Sequence, residues 1–276
     1  MGKIIAFANQ KGGVGKTTTC VNVATYMALM GKKVLLLDLD PQGNATSAVG
    51  INKSKDLKTI YDLIGEESSY DEVIQQTIVN NLYIIPSTVD LAGAEVELIQ
   101  FPNREKIIKK ILDEIKESYD FIFMDCPPSL GLITVNALTA SDSVLIPMQC
   151  EFFSLEGITQ LMNTIRLIKL KGLNPDLDIE GVVMTMKEKR FNLTSQVSNE
   201  ILKFFKEKVY ITTIPRNVRL AEAPSHGLPV ALYDANSKGA EAYLSLAEEI
   251  MRRNKVPFNK ISKIKKIKFK GENDEQ

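Results

Sequence analysis

The chain has one histidine and three cysteines in 276 residues, and these shortages remove several chemistries at once. With His226 alone, neither a zinc site built on histidines nor a Ser-His-Asp triad has support. Cys20, Cys126 and Cys150 cannot all pair, and none stands in a Cys-x-x-Cys spacing, so a reducing, cytoplasmic setting is expected. Cys126 reads as a small packed residue rather than a nucleophile. No run approaches the ~18 apolar residues that span a bilayer. The apolar run at 4–8 is too short for a secretory signal and leads into a glycine-rich loop instead. Net charge is zero, so composition alone does not suggest a nucleic-acid partner. The charge is uneven, however. Residues 255–276 carry seven lysines against three acids, a net +4 that leaves −4 on residues 1–254. A basic arm on a mildly acidic body points toward a polyanion.

What is present is an ordinary globular composition, 44% hydrophobic and 25% charged. Short, nearly continuous Val/Ile/Leu runs occur at 4–8, 34–37, 82–85, 121–124 and 144–146, with further candidate strands at 182–184 and 210–214. Pro147 is expected to end the fifth. Amphipathic helical patterns lie at 17–30, 104–116, 155–170, 195–205 and 240–251. Continuous rather than alternating apolar runs mark strands covered on both faces. Alternation of such strands with helices predicts a doubly wound, mostly parallel α/β sheet flanked by helices. Composition breaks only near Asn254. Residues 1–254 are therefore expected to be one domain, and 255–276 a basic, disordered tail. In such sheets ligands bind beyond the carboxyl ends of the strands, which is where the unusual residues fall.

Residues 9–18 read Asn-Gln-Lys-Gly-Gly-Val-Gly-Lys-Thr-Thr. Gly15-Lys16-Thr17 is the core of a P-loop, placed after a predicted strand and opening a predicted helix. Its glycines let successive N–H groups turn toward phosphate oxygens, and the helix adds its positive end. Lys16 would reach the β- and γ-phosphates and Thr17 would ligate Mg²⁺. The general pattern asks for glycine at position 10, where the chain has Gln10, and a second lysine, Lys11, stands inside the loop. One lysine already serves the phosphates, so a monomer would gain little from another. Asp125 ends an apolar strand in the manner of a Walker B acid that holds Mg²⁺ through water. Asp38 and Asp40 flank the end of the second strand. At i and i+2 they share a side, so one could support the metal while the other orients the attacking water.

The segment from Lys11 through Gly12, Gly13, Val14, Gly15, Lys16, Thr17 and Thr18 resembles the deviant Walker A loop of the ParA/MinD family of P-loop ATPases, and the second lysine is that family's signature. Asp38-Leu39-Asp40-Pro41-Gln42-Gly43-Asn44, Asp125-Cys126-Pro127-Pro128-Ser129-Leu130-Gly131 and the run from Ile214 to Gly227 narrow the resemblance to chromosomal ParA proteins. It covers about residues 1–254. The resemblance implies a homodimer that sandwiches two ATP molecules, with Lys11 reaching the partner's nucleotide. It further implies Asp40 as a residue needed for hydrolysis and Gly12 at the point of subunit approach. Pro215 and Asn217 would contact adenine. The ATP dimer would bind double-stranded DNA without sequence preference, on the nucleoid, and a ParB-type partner would stimulate slow hydrolysis and release it. Arg190 and Arg219 match positions for phosphate contact, with Lys187, Lys189, Arg252 and Arg253 as further basic candidates. Two other readings share the loop: a MinD-like positioning ATPase that lies on a membrane through its C-terminal segment, and an iron–sulfur reductase that bridges a cluster with cysteines at the dimer axis. The Asp-Pro-Gln-Gly-Asn segment argues against the first, and the placement of Cys20 and Cys126 against the second.

Overall fold

The computed structural model describes residues 2–151, 154–187 and 192–261, with the side chains of 154–156 and 192–196 left out. Arg190 and Lys189, and the lysine run from Lys263 onward, lie outside the described residues.

The first half of the chain supplies β1 (Lys3–Phe7), α1 (Lys16–Leu29), β2 (Val34–Asp38), α2 (Asn44–Ala48), α3 (Ile60–Ile64), α4 (Tyr70–Val73), β3 (Gln75–Gln76), β4 (Leu82–Ile85), α5 (Leu91–Glu97), α6 (Ile107–Ile115) and β5 (Phe121–Asp125). The second half adds α7 (Leu132–Ala140), β6 (Ser143–Gln149), α8 (Ser154–Leu170), β7 (Asp178–Thr185), α9 (Asn192–Phe205), α10 (Val218–Glu222), α11 (Val230–Tyr233) and α12 (Lys238–Arg253). Among the described residues these strands form one seven-stranded sheet in the order β3-β4-β2-β5-β1-β6-β7. Only β3, a two-residue edge, runs antiparallel. Every residue of β2 and β5 is buried, which is the reason their apolar runs are unbroken. One apolar layer holds α5–α8 against the sheet and the other holds α1 and α12. This is the doubly wound α/β arrangement expected, with β1 inside the sheet between β5 and β6 and its loop at the carboxyl edge.

Two expectations about strands are corrected. β6 continues through Pro147 to Gln149. Pro147 lies two residues beyond Leu145, on the same side of the strand, and pairing with β1 ends at Leu145. The N–H that proline lacks therefore has no ladder partner to lose, while pairing with β7 on the other side carries on. Conversely, 210–214 is not a strand. Tyr210 and Ile214 donate to Val182 and Met184 of β7, but the N–H groups of Ile211 and Thr212 between them go to the Glu249 carboxylate on α12. A charged acceptor on a packed helix outcompetes the ladder there. Past α12 the chain turns back on the body. Val256, Phe258 and Ile261 pack against the α1/α12 layer, and Asn259 donates to the carbonyl of Met30.

Candidate functional site

The loop between β1 and α1 closes around its own backbone. Gly13 and Gly15 take positive φ angles of 73° and 82°, a conformation costly for a residue with a Cβ. The Lys11 N–H is held by Asn9 Oδ1 at 3.0 Å, and Asn9 Nδ2 reaches the Pro147 carbonyl at 2.8 Å. Gln149 Nε2 donates to the Gly13 carbonyl at 3.1 Å, and the Thr185 hydroxyl to the Val14 carbonyl at 2.8 Å. Lys16 is buried, its ammonium 3.3 Å from the Lys11 carbonyl. Burial lowers its pKa, and the charges of Asp125, Cys126 and Asp40 pull it partly back. Lys11 points the other way, to the mouth of the loop, where its ammonium pairs with Glu151 at 2.5 Å. The two lysines thus occupy different places: one inside the loop, one at its rim.

Two carboxylates lie side by side beneath the loop, because Asp38 of β2 is the register partner of Asp125 of β5. Both are fully buried. Asp38 accepts from the N–H and hydroxyl of Thr46 at 2.8 and 2.7 Å and from the Asp40 N–H at 3.2 Å. Its pKa is still pushed up to about 6 by burial, against the pull of those hydrogen bonds. Among the described residues neither oxygen of Asp125 has a partner at hydrogen-bond geometry, the Thr17 hydroxyl being the near neighbour. Burial, and then the charge of Asp38, raise its pKa well above the carboxylate range. A buried carboxylate without donors is an unsatisfied group, and its chemistry suits a divalent cation. Thr17, close enough to Asp125 to favour its ionised form, opens the helix directly above, so the pair fits a Mg²⁺ ion. Asp40 stands apart from Asp38. It is half-buried, caps the turn by accepting from the Gln42 N–H at 2.9 Å, and its charge reaches Lys16.

A cavity of about 180 Å³ opens beside the loop, lined by Gly15, Thr18, Met186, Pro215, Asn217 and Tyr243 among others. The two residues expected at an adenine are therefore brought to the phosphate loop from 200 residues away. Asn217 also caps α10 by accepting from the Arg219 N–H. Lys187 is bridged to Pro215 and shares this end of the sheet with Arg219. The Arg219 guanidinium pairs with Glu222 at 2.8 Å and Asp234 at 3.3 Å. Arg252 and Arg253 lie at the far end of the 16-residue α12, about 20 Å along its axis from Gly239, which abuts Leu220. Arg252 pairs with Glu248 at 3.0 Å. Arg253 donates to the carbonyls of Glu207 and Val209 and to Glu249, and lies over the Tyr210 ring. The four basic candidates among the described residues thus do not form one cluster: Lys187 is tied to Pro215, Arg219 lies on α10 a few residues further on, and Arg252 and Arg253 stand at the far end of α12.

All three cysteines are buried, and burial pushes the Cys20 and Cys126 thiols up. No thiol is presented for bridging a cluster between subunits. Thr46, Asn9, Gln149, Glu151 and Thr185 were not legible as site residues. Gln149, Glu151 and Thr185 reach the loop from other elements, and strand order brings them there; Asn9 belongs to the loop itself, and Thr46 lies eight residues after Asp38.

A glycine loop that follows an interior strand, opens a helix at the carboxyl edge of a parallel sheet and stands over a strand-end acid defines a P-loop nucleotide-binding protein. The AAA domain family profile matches residues 2–179. The chain is 57% identical over 250 residues to the sporulation initiation inhibitor protein Soj of Bacillus subtilis (strain 168), spanning 91% of this chain and 98% of that protein. It is 49% identical over 254 residues to the chromosome-partitioning ATPase Soj of Treponema pallidum (strain Nichols), spanning 92% and 99%. Among solved structures, cobyrinic acid a,c-diamide synthase from Mycobacterium smegmatis with bound ADP and magnesium matches with a TM-score of 0.80 at 32% identity, covering 92% of this chain and 96% of that one. The chain belongs to the ParA/MinD family of P-loop ATPases, in the branch of the Soj chromosome-partitioning proteins.

Proposed function

We propose that this protein is a Mg²⁺-dependent partitioning ATPase of the cytoplasm, whose ATP-bound homodimer binds double-stranded DNA of the nucleoid without sequence preference. A ParB-type partner stimulates hydrolysis and thereby releases the DNA. The observation that carries the reading is the separation of the two lysines. Lys16 sits inside its own loop, and Lys11 faces outward from the rim, held among the described residues by an exposed pair with Glu151. Such surface pairs contribute about 0–1 kcal/mol, so Lys11 can exchange Glu151 for a neighbour's phosphates at little cost. The magnesium-bound solved structure and the partitioning names of the relatives support the same reading. When bound, Mg²⁺ would be held by Thr17 and, through water, by Asp125, and would neutralise charge on the phosphates. The chain's own residues do the remainder. The loop N–H groups and Lys16 bind the phosphates, Asp40 positions the attacking water, and Lys11 neutralises transition-state charge in the partner's site.

DNA binding tests it. With ATP, but neither with ADP nor without nucleotide, the protein should bind duplex DNA of unrelated sequences equally. The logarithm of affinity should fall linearly with the logarithm of salt, by ~0.9 per phosphate neutralised. Asp40→Ala should keep ATP and DNA yet stay bound when the partner is added. Equal DNA binding in all three nucleotide states would end the switch reading. A protein retained by lipid vesicles instead would favour the MinD-like alternative.

Gly12 supplies a second test. A Cβ built there meets nothing within 4 Å, so Gly12→Val should leave the fold within about 0.5 kcal/mol and ATP affinity nearly intact. If two loops face each other across a dimer, the same side chain should abolish ATP-dependent dimerisation. Light scattering behind a sizing column with ATP reads this out, and a dimer of undiminished stability would place Gly12 away from the interface.

A further inference from the structure

A P-loop works only if its N–H groups face the phosphates, and glycine-rich loops have no intrinsic reason to hold them so. In a trans peptide the carbonyl of one residue and the N–H of the next point in opposite directions across a rigid plane. Whatever grips the carbonyl of residue i therefore aims the N–H of residue i+1. Here two consecutive loop carbonyls are gripped from one side by side chains of neighbouring strand ends. Gln149, at the end of β6, donates to the Gly13 carbonyl at 3.1 Å. Thr185, at the end of β7, donates to the Val14 carbonyl at 2.8 Å and is buried at 2% exposure. The planes they set carry the N–H groups of Val14 and Gly15, at the centre of the phosphate-binding motif. Gly15 is also the residue whose left-handed φ leads into α1.

We infer that Gln149 and Thr185 are positioning residues for nucleotide binding: a two-point clamp on the back of the loop that turns the Val14 and Gly15 N–H groups toward the phosphates before ATP arrives. The inference rests on the reading of this loop as the ATP site. Thr185 carries the larger share, because its hydroxyl is the buried donor for a buried acceptor, where an unmade bond cannot be replaced by water. Gln149 is half-exposed, and its bond is in part replaceable. The clamp also explains a geometric economy. The strand that brings Thr185 to the loop continues into Met186 and Lys187, which meet the base cavity and Pro215. One strand end thereby sets both the phosphate loop and the base loop.

The test is ATP and ADP affinity of folded protein, measured with a fluorescent nucleotide well below the unfolding temperature, together with steady-state hydrolysis. Thr185→Val keeps shape and removes the donor. It should raise the Kd for both nucleotides about tenfold or more, while kcat at saturation stays within about threefold because the reacting groups are untouched. Thr185→Ser restores the hydroxyl and should restore the Kd. Gln149→Leu should raise the Kd about three- to fivefold. A wild-type Kd in Thr185→Val, or an equal loss in Thr185→Ser, would overturn the clamp, since the second result means lost packing. If Thr185→Val does not fold, Gln149→Leu decides: an unchanged Kd overturns the proposal. Failure of the wild-type protein itself to bind ATP would overturn the assignment of the site and leave the clamp without an object.

Discussion

Lys11→Ala should bind ATP about as tightly as the parent and hydrolyse it, with DNA and partner present, about a thousandfold more slowly. The affinity is preserved because Lys11 faces away from its own loop, and its ion pair among the described residues is the exposed one with Glu151. The rate collapses because a cation supplied across an interface to a phosphoryl-transfer site accelerates the step by ~10³–10⁵ in other systems. Loss of one exposed pair leaves the fold within about 1 kcal/mol, so the melting temperature is an internal control. Phosphate release and nucleotide titration measure the two halves. Mixing separates action in trans from action in cis. Lys11→Ala and Asp40→Ala subunits are each inactive alone, but a mixed dimer has one site with its own Asp40 and the partner's Lys11. An equal mixture in a two-fold dimer should recover about a quarter of the parent rate. No recovery on mixing would return Lys11 to its own nucleotide.

Asp125→Asn should make the nucleotide-free protein more stable and the enzyme inactive, an opposition few substitutions show. Asp125 and Asp38 are buried neighbours across β2 and β5, and among the described residues neither oxygen of Asp125 has a donor at hydrogen-bond geometry. Burial and mutual repulsion disfavour two charges there. Removing one should stabilise the apoprotein by roughly 1–3 kcal/mol, or several degrees in melting temperature at ~2–4 °C per kcal/mol for a chain of this size. The same substitution removes the carboxylate offered to Mg²⁺. In the parent, Mg²⁺ and ATP at a hundred times the Kd should contribute about 2.7 kcal/mol, and in the variant most of that gain should be absent. Thermal unfolding with EDTA, with Mg²⁺ and with Mg-ATP gives all the comparisons. A variant less stable than the parent without metal would show that Asp125 has a stabilising partner in the fold.

The acid pair also sets a pH trend for the apoprotein. Asp38 holds its proton up to about 6 when folded, against an ordinary value near 3.9 when unfolded. Between those values the folded state binds more protons, so stability falls as pH rises from about 4 to about 6 and the contribution is fully lost above that. Its size is on the order of 3 kcal/mol at ~1.4 kcal/mol per pKa unit. Mg²⁺ at pH 7.5 should offset the loss in the parent.

The chain alone determined the class of fold and the presence of a phosphate loop, because both are written in local spacing. Unbroken Val/Ile/Leu runs mark doubly covered strands, and Gly15-Lys16-Thr17 needs only its neighbours to form. The second lysine and the acids at 38, 40 and 125 were legible for the same reason. Tertiary structure alone decided which residues complete the site and what each is free to do. Thr185, Gln149 and Glu151 meet the loop because β6 and β7 lie beside β1 in the sheet, an order no local pattern encodes. Asp38 and Asp40, which look equivalent in the chain, part ways once Thr46 ties the first down inside the protein. Arg252 and Arg253 resemble any basic pair until α12 carries them to the edge away from the loop, where Arg253 is engaged by two carbonyls and a carboxylate. A hydrogen bond or ion pair depends on distances of a few ångströms between groups far apart in the chain, and those distances exist only after the sheet has formed.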